Sequence, residues 1–323
     1  MTRIAAIFPG QGSQAVGMGT DVAARSTAAR DLFHRAQAVL GYDLLALQSD
    51  GPEEKLRETQ YSQPAIFTTN LALYSAAGAL EPVVSAGHSF GEFCSLVIAG
   101  SLQFEEALSV VAERGRAMQA AAELEAGAMS AVLGLEAAAV RAVADRVREE
   151  TGRRVQLANF NSPTQIVISG DDVAVRAAAD AMLAAGAKRV VPLNVSGAWH
   201  SQLMQPAVAR FAAAVERANF RMPSIDVISN VDAQPYRDVD GIRRNLVRSI
   251  VEEVRWHDAA ERLLSYDLDA VVEFGASAVL GPLMKRLPNA PKVLVVSDYA
   301  GVEKVRGTDE LTAVRATQDD SDR

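Results

Sequence analysis

The segment GHSFG at positions 87–91 has the Gly-x-Ser-x-Gly pattern of a nucleophile elbow. In such an elbow a strand turns sharply into a helix, and small glycines let the serine hydroxyl project from the turn. Here an apolar run at 82–87 predicts a buried strand, and a helical pattern begins near Glu92. The motif and its context therefore predict Ser89 as a nucleophile. The alternative is a glycine-lined turn in which Ser89 only caps the following helix.

A serine nucleophile needs a base that takes its proton, and histidine is the usual choice. His88 neighbours the serine in sequence, but adjacent side chains on a turn diverge. His34 and His257 fall in helical stretches, where we expect surface positions. His200 lies in the loop after a predicted strand, well downstream of Ser89. We therefore predict His200 as the base; the alternative is a loop histidine with a local structural role.

The glycine-rich segment GQGSQ at positions 10–14 directly follows the first predicted strand. Loops at the carboxyl ends of parallel strands meet at the ligand crevice of an α/β protein. We expect the backbone N–H of Gln11 to pair there with that of Phe90, the residue after the nucleophile, as an oxyanion hole. The alternatives are a tight turn and a phosphate-binding loop. The phosphate loop is disfavoured because no Lys-Ser or Lys-Thr pair follows.

Strand and helix patterns alternate through residues 1–126 and again through 196–306, which is typical of a parallel sheet covered by helices. The predicted strands are 4–8, 82–87, 225–229, 270–274 and 292–296. The predicted helices are 21–40, 63–77, 102–123, 241–251, 257–265 and 278–286, besides the one that begins near 92. We expect these two stretches to form one core domain. Residues 307–323 are polar and lack periodicity, and we expect a flexible tail there.

Residues 127–195 have a different pattern, with strands at 129–135, 155–160, 165–169 and 188–193 and helices at 136–150 and 171–185. The turn between the second and third of these strands is predicted at 161–163. The order β-α-β-β-α-β is the signature of a ferredoxin-like unit. The sequence therefore predicts an α/β fold in which a ferredoxin-like subdomain is inserted into the larger core.

The composition excludes several classes of protein. Lys and Arg total 32 and Asp and Glu total 40, and the resulting net charge of −8 argues against a general nucleic-acid binder. The single cysteine, Cys94, excludes an intrachain disulfide and a four-thiolate metal site, and the four histidines are scattered. The apolar runs are too short for a membrane span, and Pro9-Gly10 interrupts the first one too early for a signal peptide. We expect a cytoplasmic enzyme without a metal, a membrane or a nucleic-acid partner.

The chain also resembles a known family over about residues 4 to 300. It contains, in order, the segments FPGQGSQ, GHSFGE, ERGRAMQ, GAMSAVLGL, ANFNSPTQIVISG, AGAKRVVPLNVSGAWHS, ISNVD and EVRW. This order is similar to that of malonyl-CoA:acyl carrier protein transacylases, and the discrete acyltransferases of polyketide pathways look similar. The resemblance implies an α/β-hydrolase-like core with an inserted ferredoxin-like subdomain. It also implies acyl transfer from coenzyme A to the phosphopantetheine thiol of an acyl carrier protein, with coenzyme A entering as substrate and no other cofactor.

The resemblance assigns roles to single residues. Ser89 resembles the acylated nucleophile, His200 the general base, and Gln11 and Phe90 the oxyanion-hole positions. Arg114 matches the arginine that holds the free carboxylate of the malonyl group, and a planar guanidinium suits that bidentate contact. Without the resemblance, Arg114 would be interpreted as a solvated arginine of a helix.

Three further positions concern the substrate. Ser249 stands where the family often has glutamine; the histidine's partner there is a main-chain carbonyl, which serine still supplies. Trp199 stands where the family commonly has phenylalanine, and a larger indole beside the acyl pocket would reshape it. Asn161, in the ANFNSP segment, is the third predicted substrate-binding residue. The identity of the acyl group therefore stays open, as does the choice between primary and specialised metabolism.

Carrier proteins are acidic as a class, so docking to this acidic chain needs a local basic patch. Three pairs are candidates, each with solvated surface charge as the alternative: Arg153 and Arg154, Lys188 and Arg189, and Lys285 and Arg286. Two other enzymatic functions would use the same nucleophile and base. One is transfer of a preformed acyl or aminoacyl group between carriers, and the other is hydrolysis of stalled acyl carriers. A catalytically silent docking subunit is disfavoured because the elbow, the histidine and the glycine-rich loop are all intact.

Overall fold

The central sheet of the computed structural model consists of five parallel strands, and the structure describes residues 2–78 and 80–308. The strands lie side by side in the order Asp226–Ile228 (β7), Val84–Gly87 (β2), Ile4–Phe8 (β1), Ala270–Phe274 (β8) and Lys292–Val296 (β9). Every residue of β1, β2 and β8 is buried, as expected for parallel strands covered on both faces. The predicted parallel core is therefore confirmed.

Helices pack on both faces of this sheet and define two apolar clusters. The helices before the second sheet are Thr20–Arg25 (α1), Thr27–Leu40 (α2), Leu44–Asp50 (α3), Glu53–Arg57 (α4), Thr59–Ala77 (α5), Gly91–Ile98 (α6) and Phe104–Leu124 (α7). Those after it are Gln205–Arg217 (α10), Val239–Arg248 (α11), Trp256–Leu264 (α12), Gly281–Met284 (α13) and Tyr299–Arg306 (α14). The helix α5 lies almost wholly inside the protein, where it packs against α2 and α7.

A second, antiparallel sheet with its own apolar core is formed by the part of the chain between α7 and α10. Its elements are Gly127–Leu133 (β3), Ala137–Thr151 (α8), Val155–Ser162 (β4), Gln165–Asp171 (β5), Asp172–Ala184 (α9) and Arg189–Pro192 (β6). The strand order β4-β5-β3-β6 is that of a ferredoxin-like unit. The inserted ferredoxin-like subdomain is therefore confirmed as part of the fold.

The parallel register brings three loops to one edge of the central sheet. Ala86 of β2 pairs with Ile228 of β7, and Phe8 of β1 pairs with Gly87. The segments that follow β1, β2 and β7 consequently leave the sheet side by side. Binding sites of open α/β sheets lie at this carboxyl edge.

Several helices differ from the sequence predictions. The predicted helix at 21–40 is two helices, because Ser26 adopts an extended conformation and its side chain accepts a hydrogen bond from the N–H of Ala29. The helix expected at 278–286 is only the four residues of α13. The helices α3, α4, α10 and α14 were not predicted. Of the expected tail, Gly307 and Thr308 are described and 309–323 lie outside the described residues.

Two predicted positions need correction. Asn161 lies in β4, which runs to Ser162, so it is not part of the turn that was predicted at 161–163. His257 is buried and not at the surface, because its ring packs edge-on against Phe160 at 5.1 Å between centroids. His34 is exposed, as expected for a helical surface position. Within residues 2–78 and 80–308, no helix is both long and apolar enough to cross a membrane.

We expect Gly87→Ala to lower the free energy of unfolding by about 3 kcal/mol or more, because overpacking against fixed backbone cannot relax. A Cβ at position 87 would lie 2.0 Å from the carbonyl carbon of Gly91. Gly100→Ala is the matched control, since Gly100 has a φ of +71° but open space around it. The loss of unfolding free energy in Gly100→Ala therefore measures the cost of the left-handed backbone alone, about 1 kcal/mol. Urea unfolding tests the prediction, and equal losses in the two variants would contradict it.

Candidate active site

The backbone of Ser89 is held in an unusual conformation between β2 and α6. Its φ is +53°, in the left-handed region that costs a non-glycine residue roughly 1–2 kcal/mol. Glycines on either side permit the tight turn: a Cβ on Gly91 would lie 2.4 Å from the carbonyl oxygen of Phe8. The turn lifts the Ser89 hydroxyl away from the backbone, as a nucleophile elbow requires.

The hydroxyl of Ser89 and the imidazole of His200 are hydrogen-bonded, with 2.8 Å between Oγ and Nε2. On the other side of the ring, Nδ1 lies 2.7 Å from the carbonyl oxygen of Ser249. A carbonyl only accepts, so Nδ1 carries the hydrogen and Nε2 is free to accept the serine proton. The main chain of Ser249 therefore sets the tautomer that a general base needs, without using its side chain.

His200 is only 4% exposed, and its surroundings favour the neutral ring. Burial, the positive charge of Arg114 and the neighbouring His88 together lower the pKa of His200 to about 3. The hydrogen bond to the Ser249 carbonyl opposes these effects. The imidazole is consequently unprotonated at neutral pH and ready to take a proton.

Arg114, on α7, is 1% exposed, which excludes the solvated position that its helix pattern alone would predict. Its Nη2 donates to Ser89 Oγ over 3.1 Å. Burial lowers the pKa of Arg114 to about 9 and the nearby Glu92 carboxylate opposes this shift, so the guanidinium stays cationic at neutral pH. Among the described residues, no carboxylate comes close enough to form an ion pair with it. The site thus holds a buried cation next to the nucleophile.

The backbone N–H groups of Gln11 and Phe90 were predicted to form an oxyanion hole. Both residues follow strands of the central sheet, and Phe90 stands at the N-terminus of α6, where a helix favours negative charge. In the part of the chain that the structure describes, neither N–H has an acceptor within the protein. The Gln11 side chain donates from Nε2 to Thr59 Oγ1 over 3.1 Å, which anchors its loop. Both N–H groups are therefore available to an acceptor on a ligand.

A cavity of about 500 Å³ opens at these groups, between the central sheet and the ferredoxin-like subdomain. Gln11, Ser89, Arg114, Trp199 and His200 all line it. Trp199 is 4% exposed, so it is a buried part of the cavity wall. This volume is typical of small-molecule sites, with a mostly apolar wall and a few convergent polar groups.

Two other residues that the sequence assigned to substrate binding lie elsewhere. Asn161 is not in the cavity wall; its Oδ1 accepts from Nε2 of His88 over 3.0 Å and so fixes the residue beside the nucleophile. The side chain of Ser249 turns back to donate to the Leu246 carbonyl. Asn159, two positions before Asn161, lines the cavity instead and is 7% exposed. The motif ANFNSP signalled the segment, but regular strand alternation would put Asn159 and Asn161 on the same face. The irregular pairing of β4 with β5 between Phe160 and Ser162, which the sequence does not reveal, breaks that alternation.

Sequence reasoning also missed Glu92, Asn230 and Tyr236, which form a buried group behind the elbow. Glu92 belongs to the GHSFGE segment and Asn230 to ISNVD, so both lay in recognised motifs without an assigned role. Burial raises the pKa of Glu92 to about 7, although hydrogen bonds from Tyr236 and Asn230 favour the carboxylate and oppose this shift.

The candidate docking residues are spread over the surface. Arg153, Lys188, Arg189, Lys285 and Arg286 are exposed. Arg154 is half-buried and forms ion pairs with two carboxylates, those of Glu125 and Asp171. Its charge is therefore already neutralised within the protein, which weakens it as a docking residue relative to the other five.

The fold and this constellation define an acyl transferase, and comparison with known proteins agrees. The acyl transferase domain family matches residues 6–295. The malonyl CoA-acyl carrier protein transacylase of Escherichia coli is 41% identical over 290 residues, which are 89% of this chain and 93% of that protein. The chain therefore belongs to the malonyl CoA-acyl carrier protein transacylase family.

Solved structures agree with this assignment. The malonyl CoA-acyl carrier protein transacylase of Coxiella burnetii superimposes with a TM-score of 0.91 at 35% identity, covering 96% of this chain and 98% of that one. A second similar structure is a malonyl-transacylase in complex with the holo acyl carrier protein of a type II polyketide synthase. It has a TM-score of 0.90 at 38% identity, covering 94% of this chain and 99% of that one.

We expect the His200 ring to stay neutral at pH 5, where an ordinary imidazole with a pKa near 6.5 is largely charged. Arg114→Ala removes a cation that lowers this pKa, so the pKa should rise, though not to the ordinary value because burial remains. Nitrogen-15 NMR of histidine-labelled protein, assigned with His200→Ala, measures both states. A His200 ring that is charged at pH 5 in the unaltered protein, or a pKa unmoved by Arg114→Ala, would contradict the electrostatic account.

Proposed function

We propose that this protein transfers a malonyl group from coenzyme A to the phosphopantetheine thiol of an acyl carrier protein, through a malonyl ester of Ser89. The observation that supports malonyl best is the buried guanidinium of Arg114, which lies 3.1 Å from Ser89 Oγ and has no ion-pair partner among the described residues. A buried cation is costly unless it meets an anion. An acyl group that ends in a carboxylate supplies that anion, and it reaches Arg114 while its thioester carbon faces Ser89.

In the first half-reaction, His200 Nε2 takes the proton of Ser89, and Oγ attacks the thioester carbonyl carbon. The oxyanion that forms accepts hydrogen bonds from the N–H groups of Gln11 and Phe90. When the tetrahedral intermediate collapses, the C–S bond breaks and the His200 proton passes to the sulfur. Coenzyme A leaves as the free thiol, and the malonyl group stays on Ser89 as an ester.

The second half-reaction runs the same steps with a different thiol. The phosphopantetheine thiol of the carrier gives its proton to His200, and the thiolate attacks the ester carbonyl. The C–Oγ bond breaks, and the proton on His200 returns to Ser89. We propose that no metal or organic cofactor takes part, because the base, the cation and the oxyanion donors are all supplied by the chain.

The alternatives from the sequence are weaker on this reasoning. A neutral preformed acyl or aminoacyl group would leave Arg114 buried without an anion, and a hydrolase would have no need for that cation. Malonyl supply to a polyketide pathway uses the same chemistry, and a similar malonyl-transacylase is known in complex with a polyketide carrier. We propose the cytoplasm as its location, because a chain with a single cysteine has no intrachain disulfide, as is usual for cytosolic proteins. The thiol of that residue, Cys94, is buried, and burial raises its pKa.

We expect malonyl-CoA to leave a malonyl-sized adduct on the protein within its first turnover, because the ester forms before any carrier is needed. Ser89→Ala should form no adduct, since it lacks the attacking oxygen. Intact-protein mass spectrometry after brief incubation with malonyl-, methylmalonyl- and acetyl-CoA measures this. A labelled Ser89→Ala protein would contradict the ester at Ser89.

We expect Arg114→Ala to slow acylation by malonyl-CoA about 100-fold, since losing a hydrogen bond to a charged group costs about 1.5–3 kcal/mol. The rate with acetyl-CoA should change much less, because acetyl has no carboxylate. Arg116→Ala is the matched control, an arginine two positions later on α7 that is half exposed and pairs with Glu113. A malonyl rate unchanged by Arg114→Ala would remove the proposed carboxylate contact.

A further inference from the structure

The side chain of Asn230 forms hydrogen bonds with the backbone on both sides of Ser89, which is in the left-handed conformation. Asn230 Oδ1 accepts the Ser89 N–H over 3.0 Å, and its Nδ2 donates to the Ser89 carbonyl oxygen over 2.9 Å. Asn230 lies in the turn after β7, which is hydrogen-bonded to β2, so the two turns are neighbours. One amide side chain thus bonds to both peptide units that flank the nucleophile.

The orientation of this amide is determined by Glu92. Glu92 Oε2 accepts hydrogen bonds from the backbone N–H of Asn230, over 3.1 Å, and from Nδ2 of the same residue. If the amide were flipped, Oδ1 would face the Ser89 carbonyl and the Glu92 carboxylate, and three acceptors would meet without a donor. The unflipped amide uses both Nδ2 hydrogens and leaves no mismatch.

Glu92 is itself held in place. It is 1% exposed, and its Oε1 accepts a hydrogen bond from the hydroxyl of Tyr236. The carboxylate lies on the first turn of α6, so it moves with the helix that begins at the elbow. Asn230 and Tyr236 are also buried, at 3% and 5% exposed. The three side chains form a polar group that is closed to water and has no opening to the cavity.

The hydrogen bonds from Asn230 orient the proposed oxyanion hole as well as the nucleophile. The C=O of Ser89 and the N–H of Phe90 belong to one planar peptide unit and point in opposite directions. Because Asn230 holds the C=O, it also sets the direction of the Phe90 N–H. The second peptide, bonded through the Ser89 N–H, fixes the other side of the residue and hence the direction of Oγ.

We propose that Asn230, oriented by Glu92, is a positioning residue for acyl transfer: it holds the two peptide planes around Ser89 so that Oγ meets His200 and the Phe90 N–H meets the oxyanion. This inference rests on the proposed function for the reaction that is assisted, but the two Asn230–Ser89 hydrogen bonds are present whichever acyl group is transferred. Without Asn230, nothing described in the structure replaces its bond to the Ser89 N–H. The serine would then relax toward negative φ and carry Oγ off the line to Nε2.

The test compares Asn230→Ala with Tyr236→Phe, which removes one hydrogen bond of the same buried group but leaves both Asn230–Ser89 bonds. We expect Asn230→Ala to slow the acylation step about 100-fold, the effect of misplacing a reacting group by about 1 Å. The KM for malonyl-CoA should change less than about threefold, because Arg114 is untouched. Tyr236→Phe should lose comparable thermal stability and keep most of the rate. Rapid-quench mass spectrometry gives the rates, and thermal unfolding gives the stabilities.

Two outcomes would overturn the proposal: an Asn230→Ala rate within about threefold of the unaltered protein, or rate losses in both variants that follow their stability losses. If Asn230→Ala does not fold, Asn230→Asp serves, since it keeps the acceptor for the Ser89 N–H and loses the donor to the Ser89 carbonyl.

Labelling of Ser89 by a fluorophosphonate separates this proposal from the proposed function. The reagent needs the nucleophile and the oxyanion hole but no acyl donor. A protein that reacts with the reagent and not with malonyl-CoA would refute the malonyl function alone. Slower labelling of Asn230→Ala than of Tyr236→Phe would still support the positioning role of Asn230, and equal labelling would overturn it.

Discussion

The active arrangement depends on one residue that is held in a backbone conformation it would not adopt alone. Ser89 has a φ of +53°, which an isolated serine avoids by roughly 1–2 kcal/mol. Gly87 and Gly91 leave room for the turn, since a Cβ on either would overlap backbone. The parallel sheet then supplies the restraint, because β2 and β7 place the elbow beside Asn230. The local strain is thus offset by contacts that only the complete fold provides.

The proposed base and the proposed carboxylate-binding arginine are both hydrogen-bonded to the same atom, Ser89 Oγ. Ser89 Oγ donates toward His200 Nε2 and accepts from Arg114 Nη2, at 2.8 and 3.1 Å. The same arginine lowers the pKa of His200, so a carboxylate that pairs with Arg114 would relieve this effect and make the imidazole a stronger base. On our proposal, a malonyl group would therefore assist its own transfer, while a neutral acyl group would leave the arginine bound to the nucleophile.

Much of this could be predicted from the sequence, because it follows from local patterns. The GHSFG turn, the strand before it and the β-α-β-β-α-β order depend on neighbours in the chain, and the structure contains all three. What escaped prediction depends on residues far apart. The burial of Arg114 follows from how α7 packs, which its charged helical pattern does not reveal. The bond from Asn230 to Ser89 requires the pairing of β7 with β2, and the position of Asn161 required knowing that β4 continues to Ser162.

On our proposal, the carboxylate of the acyl group takes the place of Ser89 Oγ on Arg114. A crystal structure of the unaltered protein soaked with excess malonyl-CoA and no carrier tests it most directly, because the ester on Ser89 then lacks the carrier thiol that would take the malonyl group. We expect the malonyl ester on Ser89, its carboxylate paired with both nitrogens of the guanidinium and its carbonyl oxygen at the N–H groups of Gln11 and Phe90. An ester whose carboxylate points to solvent, with Arg114 still on Oγ, would contradict the account.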